Sequence, residues 1–180
     1  MRRCVFILTL CLIGLGASAA TLEHLSLDEM AQRSTAIVRA RAISSSTSLI
    51  GSTIYTHTRF QVLERWKGLE GAQVEVVEPG GTVGQLTQTY SGVPRFTPGQ
   101  ELVMFLWTGP SGRTQVIGLS QGVFGVAKSA AGEDEVSREA SGDVVLAPVT
   151  GEQIRDEALR MPLRTLLSRI RAAMDRSRQR

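Results

Sequence analysis

The chain contains little cysteine, histidine and aromatic residue, and each shortage excludes a class of protein. Its 180 residues include two cysteines, Cys4 and Cys11, and two histidines. A disulfide scaffold needs several cysteines, and a zinc or iron site needs three or four ligands. The one long apolar run, Val5–Leu15, is shorter than the ~20 residues of a membrane-spanning helix. We therefore expect no metal ion, no cofactor and no integral membrane protein.

The first residues have the pattern of a leader. Arg2 and Arg3 precede the apolar run, and the small residues Ala17, Ser18 and Ala19 follow it. A charged start, a short apolar segment and small residues before a cleavage point are typical of a secretory signal peptide. We predict that residues 1–19 are a signal peptide cut after Ala19. The exported chain, periplasmic or secreted, would then contain no cysteine and no transmembrane segment.

The charged residues are unevenly distributed. Residues 21–150 contain thirteen acidic and ten basic residues, whereas residues 151–180 contain eight arginines and four acidic residues. The basic excess is therefore a property of the C-terminal tail. Because an acidic body gives no electrostatic support for binding nucleic acid, we expect no nucleic-acid partner. A second envelope or extracellular protein is the expected partner.

The central part of the chain has the alternation of β-strands. Thr35–Ile43 alternates apolar residues with arginines, and Thr53–Trp66 is predicted to place Phe60 and Trp66 on one face. Leu102–Trp107 is apolar on both faces, which indicates the most buried strand. We expect a serine-rich link, Ser44–Ser48, between the first two strands. An acidic loop over Glu133, Asp134 and Glu135 is expected between the last two.

Helices are predicted near the two ends of the chain. Ser26 and Glu29 form a capping box, which predicts a short helix ending near Ser34. Thr150 and Gln153 form a second capping box and predict where a C-terminal helical segment begins. An apolar stripe runs along the final helix: Leu163, Leu166, Leu167, Ile170 and Met174. We favour docking of this stripe on the β-domain, and binding to a lipid or a partner stays an alternative. The predicted domains are a β-barrel over residues 20–149 and a helical segment over residues 150–180.

The predicted binding loop, Gly80–Phe96, lies in the longest irregular stretch of the sequence, which is rich in glycine and proline. Such loops often carry function when a rigid scaffold holds them. Glycines allow close approach, and an arginine beside aromatic residues is typical of interface anchors. The predicted partner-binding residues are Gly80, Gly81, Tyr90, Arg95 and Phe96.

The sequence shows no assembled catalytic group, so no catalytic residue is predicted. His57 lies on the polar face of its strand and is expected to face water. A catalytic triad is a spatial arrangement rather than a sequence motif. A hydrolase that uses His57, with a serine or an acidic residue brought close by folding, therefore stays an alternative.

The order of motifs resembles a group of uncharacterised exported bacterial proteins over most of residues 26–128. The motifs are S-L-D-E-M, T-A-I-V-R-A-R-A, I-Y-T-H-T-R-F-Q-V-L-E-R-W-K-G, E-P-G-G-T-V-G, G-V-P-R-F-T-P-G-Q-E-L-V-M-F-L and Q-G-V-F-G-V, and the closing P-L-R-T-L-L-S-R-I-R is similar too. More distantly, the order is similar to netrin-like domains, including tissue inhibitors of metalloproteinases. This second resemblance implies an OB-type five-stranded barrel with a terminal helix. The zinc-chelating N-terminal cysteine of those inhibitors has no counterpart here.

These patterns together predict a mainly β protein. Its expected architecture is a small antiparallel OB-like (netrin-like) barrel with a short N-terminal helix and a C-terminal amphipathic helix. The expected function is that of an exported, non-enzymatic binding or interaction module. The alternatives are a protease inhibitor-like module and the hydrolase that uses His57.

Overall fold

The computed structural model describes residues 21–68 and 70–179, so the predicted signal peptide lies outside the described residues. The chain is mainly β. The α-helices are α1 (Leu27–Arg33) and α2 (Leu163–Arg178), and a 3₁₀ turn spans Leu119–Gly122. The strands are β1 (Thr21–Glu23), β2 (Ala36–Ile50), β3 (Thr53–Lys67), β4 (Gln73–Pro79), β5 (Gly81–Val83), β6 (Leu86–Gln88), β7 (Glu101–Thr108), β8 (Thr114–Val116), β9 (Val123–Lys128), β10 (Asp134–Arg138), β11 (Val144–Leu146), β12 (Gln153–Ile154) and β13 (Leu159–Pro162).

One antiparallel sheet organises the molecule. Its strand order is β13-β10-β9-β7-β2-β3-β4, and β8 pairs with the same edge of β7 as β9 does. The 3₁₀ turn separates β8 from β9, so these two strands act as one interrupted strand beside β7. Strands β1, β11 and β12 form a small second sheet, and β5 pairs with β6.

The main sheet separates two hydrophobic cores. Because successive side chains of a strand point to opposite faces, β7 supplies both cores, Val103 and Phe105 to one and Leu102 and Met104 to the other. The helix-side core lies between the sheet and both helices. Its buried residues are Leu25, Met30, Ala31, Ile37, Val103, Phe105, Phe124, Val136, Leu163, Leu166, Ile170 and Ala173. The inner core lies where the sheet curls on itself. Its buried residues are Ala36, Val38, Ala40, Ala42, Phe60, Val74, Val76, Leu102, Met104, Leu106 and Val116.

The sheet curls but does not form the predicted barrel, since no closed barrel is seen in the described residues. Strand β4 comes close to β8, yet the ladder of paired strands does not join them. A hydrogen bond to a side chain spans the gap instead: the Val116 N–H donates to Oε1 of Glu78 at a distance of 2.7 Å. We call this gap between β4 and β8 the seam. Beyond the three residues of β8 the chain turns away through left-handed backbone at Gly118 and Leu119.

Two details of the first hairpin differ from prediction. The serine-rich segment Ser44–Ser48 is not a link but part of β2, which pairs with β3 up to Ile50. Trp66 packs against the helix-side core, whereas Phe60 lies in the inner core. The prediction that they share a face is wrong because irregularities in the β2–β3 register shift the alternation between them.

The last third of the sequence contains more strand than predicted. The acidic segment that begins at Asp134 is strand β10, which pairs with both β9 and β13. No helix begins at Thr150 and Gln153, because residues 153–154 form β12 and α2 begins only at Leu163. Strand β13 belongs to the main sheet, so the β-domain extends beyond the predicted boundary at residue 149.

The helices pack on each other and on the sheet. Helix α1 begins at the capping box, in which Ser26 and Glu29 exchange hydrogen bonds. The apolar stripe of α2 buries Leu166 and Ile170 in the helix-side core, and Arg176 pairs with Asp28 of α1 at 2.6 Å. Neither helix combines the length and the apolarity that crossing a membrane requires.

Candidate functional site

An open cavity of about 660 Å³ lies between the N-terminal segment, β8 and the 3₁₀ turn. Most of its wall is apolar and comes from Leu22, Leu25, Trp107, Val116, Ile117 and Leu119. Its polar lining residues are Glu23, Arg33, Glu78, Gln115 and Gln121. Apolar walls with a few polar groups are typical of small-molecule sites.

Glu78 is the most unusual group in this lining. Its side chain follows Val74 and Val76 on the inward face of β4, and the residue is only 3% exposed. Oε1 accepts the hydrogen bond from Val116 across the seam, whereas Oε2 is buried without a partner. Burial raises the pKa of Glu78 to about 7, although the hydrogen bond from Val116 favours the charged form. Glu78 therefore contributes to the cavity lining a carboxyl group of which one oxygen is buried without a hydrogen-bond partner.

Gln121 fixes the wall opposite the seam. Its side chain is buried, and Oε1 accepts from Leu25 N at 2.9 Å. Its Nε2 donates to the carbonyl oxygen of Glu23, also at 2.9 Å. The side-chain amide thus replaces a strand partner for the N-terminal segment and holds the wall of the cavity in place.

The backbone beside Gln121 has an uncommon conformation. Leu119 has a φ of 56°, and it is the one non-glycine residue with positive φ in the described part of the chain. A side chain in this region costs free energy and is found at sites whose surroundings enforce it. The conformation directs the chain from β8 into the turn and places Leu119 in the cavity wall.

The predicted binding loop is partly buried. Gly80 and Gly81 are buried, with φ of 100° and 128°, and a Cβ on Gly81 would come within 2.7 Å of Thr56 Oγ1. These glycines are therefore required by the backbone and its neighbours. Phe96 packs edge-on against Phe60 of the inner core, with ring centroids 5.0 Å apart. Tyr90 and Arg95 are exposed.

The structure brings three of these predicted residues together. A Cβ built on Gly80 would lie 3.5 Å from Tyr90 Cδ2 and 3.7 Å from Arg95 Nη2. Arg95 and Phe96 also line a smaller cavity of about 150 Å³, which Glu78 lines from its other side. Contact of a partner with this loop stays a prediction, and its exposed candidates are Tyr90 and Arg95.

Both ring nitrogens of His57 have a hydrogen-bond partner on a neighbouring strand. Its Nε2 lies 2.8 Å from Ser48 Oγ of β2, and its Nδ1 lies 3.2 Å from Glu75 Oε1 of β4. An ionised carboxylate can only accept, so a proton on Nδ1 leaves Nε2 free to accept from the serine. Serine, imidazole and carboxylate thus follow one another in a chain of hydrogen bonds on the outer face of the sheet.

Sequence reasoning missed Glu78, Ser48 and Glu75. The alternation Val74, Val76, Glu78 within one strand carried the signal for a buried carboxyl group. Ser48 was placed in a link, so its position beside His57 could follow only from the hairpin register. In the described ranges, no group of three or more histidine, cysteine, aspartate or glutamate residues is arranged to hold a metal ion.

A search against family models, curated proteins and solved structures finds no match for the chain.

Proposed function

We propose that this chain is an exported binding module that takes an apolar ligand, or an apolar side chain of a partner envelope protein, into the cavity beside the seam. The observation that carries the proposal is the combination of apolar walls with a buried carboxyl group that has one oxygen without a hydrogen-bond partner. Apolar walls supply affinity by removing ligand surface from water, and a few polar groups fix the orientation of the ligand. A ligand with an apolar body and one N–H or O–H donor fits this chemistry.

Binding can be measured with N-phenyl-1-naphthylamine, a neutral apolar dye with one N–H donor. We expect saturable dye fluorescence and quenching of Trp107, which lines the cavity. The substitution Gln115→Trp places a large side chain in the lining of the cavity and is expected to lower dye affinity at least tenfold. Thr114→Trp adds the same side chain at the preceding position, which does not line the cavity. Equal dye affinity in both variants would contradict the proposal.

The OB-like and netrin-like relationship is also a proposal, supported by the motif order and by a curled antiparallel sheet with a C-terminal helix. An inhibitor of an exported protease would act through the start of the exported chain. In the described residues that start is β1, which pairs in parallel with β11. Assays of the purified chain against metalloproteases and serine proteases test this alternative. Inhibition that persists in Gln115→Trp would separate it from cavity binding.

A second candidate function is ester hydrolysis by Ser48, His57 and Glu75. The supporting observation is the pair of hydrogen bonds that links the three side chains. In this mechanism Ser48 Oγ adds to the ester carbonyl carbon while its proton passes to His57 Nε2. The departing alcohol takes that proton as the carbon–oxygen bond breaks, and a water molecule then releases the acid by the reverse roles.

A fluorophosphonate probe tests this candidate directly, because the serine oxygen of such a trio attacks its phosphorus atom, displaces fluoride and keeps a stable phosphonyl group. We expect a single adduct, lost in Ser48→Ala and strongly reduced in His57→Gln. Ser46→Ala is the matched control, since Ser46 is a serine of the same strand that lies opposite His57 in the register. Labelling that is unchanged in Ser48→Ala, or absent from the native chain, would exclude the hydrolase.

A further inference from the structure

Half of β2 has a free edge. Strand β7 pairs with β2 only over Ala36–Arg41, and Ala42 continues this edge by backbone bonds to Gln100 and Gly99. From Ser44 to Ile50, β2 pairs with β3 on one side. No strand pairs with its other side among the residues that the structure describes.

The polar backbone groups that face this edge can be identified. The carbonyl oxygen of Ile54 in β3 accepts from Gly80 N, and its N–H donates to Gln88 Oε1, each at a distance of 2.7 Å. The backbone polar groups of Ile54 therefore point away from β2. Leu49 lies opposite Ile54, and in an antiparallel pair such a residue points away from β3 as well. The register is regular from Ser44 to Ile50, so Thr47 and Ser45 point the same way as Leu49. These three residues therefore direct their N–H and C=O groups to the free edge.

This edge lacks the features that normally keep sheet edges apart. Proteins protect an exposed edge with charged side chains, proline or a bulge. The segment Ser44–Ile50 has neither charge nor proline, and the irregularity in the register lies before it, between Ala42 and Ser44. Leu49 and Ile50 are each about half exposed. The edge is thus open to another strand.

The sequence of the edge is nearly symmetric about Ser46. Reading outward in both directions gives Ser45 and Thr47, then Ser44 and Ser48, then Ile43 and Leu49. An antiparallel two-fold pair centred on Ser46 therefore places small hydroxyl residues opposite each other and an apolar residue opposite an apolar one. The hydrogen-bonding residues also match, because Ser45 and Thr47 both face the edge and would exchange their backbone bonds.

We infer that two copies of this chain pair along the free edge of β2, antiparallel and with Ser46 opposite Ser46. The arrangement is isologous, as in most two-fold dimers. It goes beyond the proposed binding function and does not depend on it. Because two short strands bury little surface, we expect a reversible dimer that dissociates on dilution.

Cysteine cross-linking tests the register. In the full chain with Cys4→Ser and Cys11→Ser, Ser46→Cys provides the only thiol. Residues opposite each other in a pair without mutual backbone bonds have Cα atoms about 4.5 Å apart, within the range of a disulfide. We expect a disulfide-linked dimer under mild oxidation. Ser48→Cys is the matched control, because the register would place its two copies roughly 13 Å apart. Equal cross-linking of both variants would overturn the inference.

Sedimentation tests the association itself. We expect the native chain to form a concentration-dependent dimer and Leu49→Lys to stay monomeric, because the register places this lysine opposite the apolar Ile43 of the second copy and a charge at a sheet edge disfavours pairing. Leu86→Lys adds the same charge on the exposed β6 and should leave the dimer intact. A native chain that is monomeric at all concentrations, with no cross-link through Ser46→Cys, would overturn the inference.

Discussion

At the scale of single residues, Glu78 decides the chemistry of the seam. A buried carboxyl group with one unsatisfied oxygen is stable in the neutral form, because burial penalises the charge. The raised pKa of Glu78 makes the folded state bind a proton that the unfolded chain releases at the same pH. The stability of the protein therefore depends on pH in a range where ordinary carboxyl groups no longer titrate.

Glu78→Gln tests this linkage. The pKa of Glu78 is raised from 4.5 to about 7, so its contribution to stability is complete below about pH 4.5 and is lost as the pH rises through about 7. The loss amounts to about 3 kcal/mol of unfolding free energy. Most of this loss falls between pH 5 and pH 8, so in urea titrations we expect the native chain to lose about 2.5 kcal/mol more stability over this range than Glu78→Gln does. The exposed Glu139→Gln is the control and should behave as the native chain does. A parallel fall in Glu78→Gln would refute the linkage.

The alternation along β4 places Glu78 on the inward face with Val74 and Val76. A charged side chain is usually exposed, as Glu75 on the same strand is, so the burial of Glu78 could not be predicted from its residue type. The conformation of Leu119 gave no sequence signal, because leucine has no preference for positive φ. It arises from the tertiary constraints on the turn that Gln121 anchors.

At the scale of elements, the apolar periodicity of α2 predicts which face of the helix is buried, but not how deeply each residue of that face is buried. The stripe predicted from the sequence includes Leu166, Leu167 and Ile170, and the structure buries Leu166 and Ile170 fully. Leu167 lies at the margin of the stripe and is half-buried. Docking of the stripe inside the molecule, rather than on a lipid or a partner, follows from the helix-side core that α1 and α2 share with the sheet.

Alanine substitutions distinguish the centre of the stripe from its margin. Leu166→Ala removes a fully buried side chain and should lower the free energy of unfolding by about 2–5 kcal/mol. Leu167→Ala removes the same atoms from a half-buried position and should cost clearly less. Urea unfolding followed by circular dichroism measures both. Equal losses would mean that α2 is not docked as described.

Strands were harder to predict than helices because pairing with a neighbouring strand overrides local composition. Ser44–Ser48 has the composition of a link, yet pairing with β3 makes it strand. Glu135 likewise lies in an acidic segment, but β9 and β13 supply a strand partner on each side. The prediction of a closed barrel is wrong because β4 and β8 do not pair as strands. The hydrogen bond from Val116 to Glu78 that joins them is a long-range contact, which no local sequence pattern contains.

At the scale of the whole molecule, the proposal of export makes a direct prediction. A full chain expressed with its own leader in a bacterial host should be recovered from outside the cytoplasm. Its mass should be that of a chain whose first residue is Ala20. Replacing the small residues before the cut, as in Ala17→Arg with Ala19→Arg, should block processing. A native chain of unreduced mass would contradict the predicted signal peptide.

Because a side chain bridges the seam, local opening of the sheet at this place should depend on that side chain. Most amides of the sheet donate to backbone carbonyls within a ladder of neighbouring bonds, but the Val116 amide donates to one titratable carboxyl group. Ionisation strengthens this hydrogen bond yet penalises the buried carboxyl group, so deuterium exchange at Val116 should depend on the protonation of Glu78 beyond the ordinary effect of pH. The helix-side core, which lies behind the sheet, would stay protected while the seam opens.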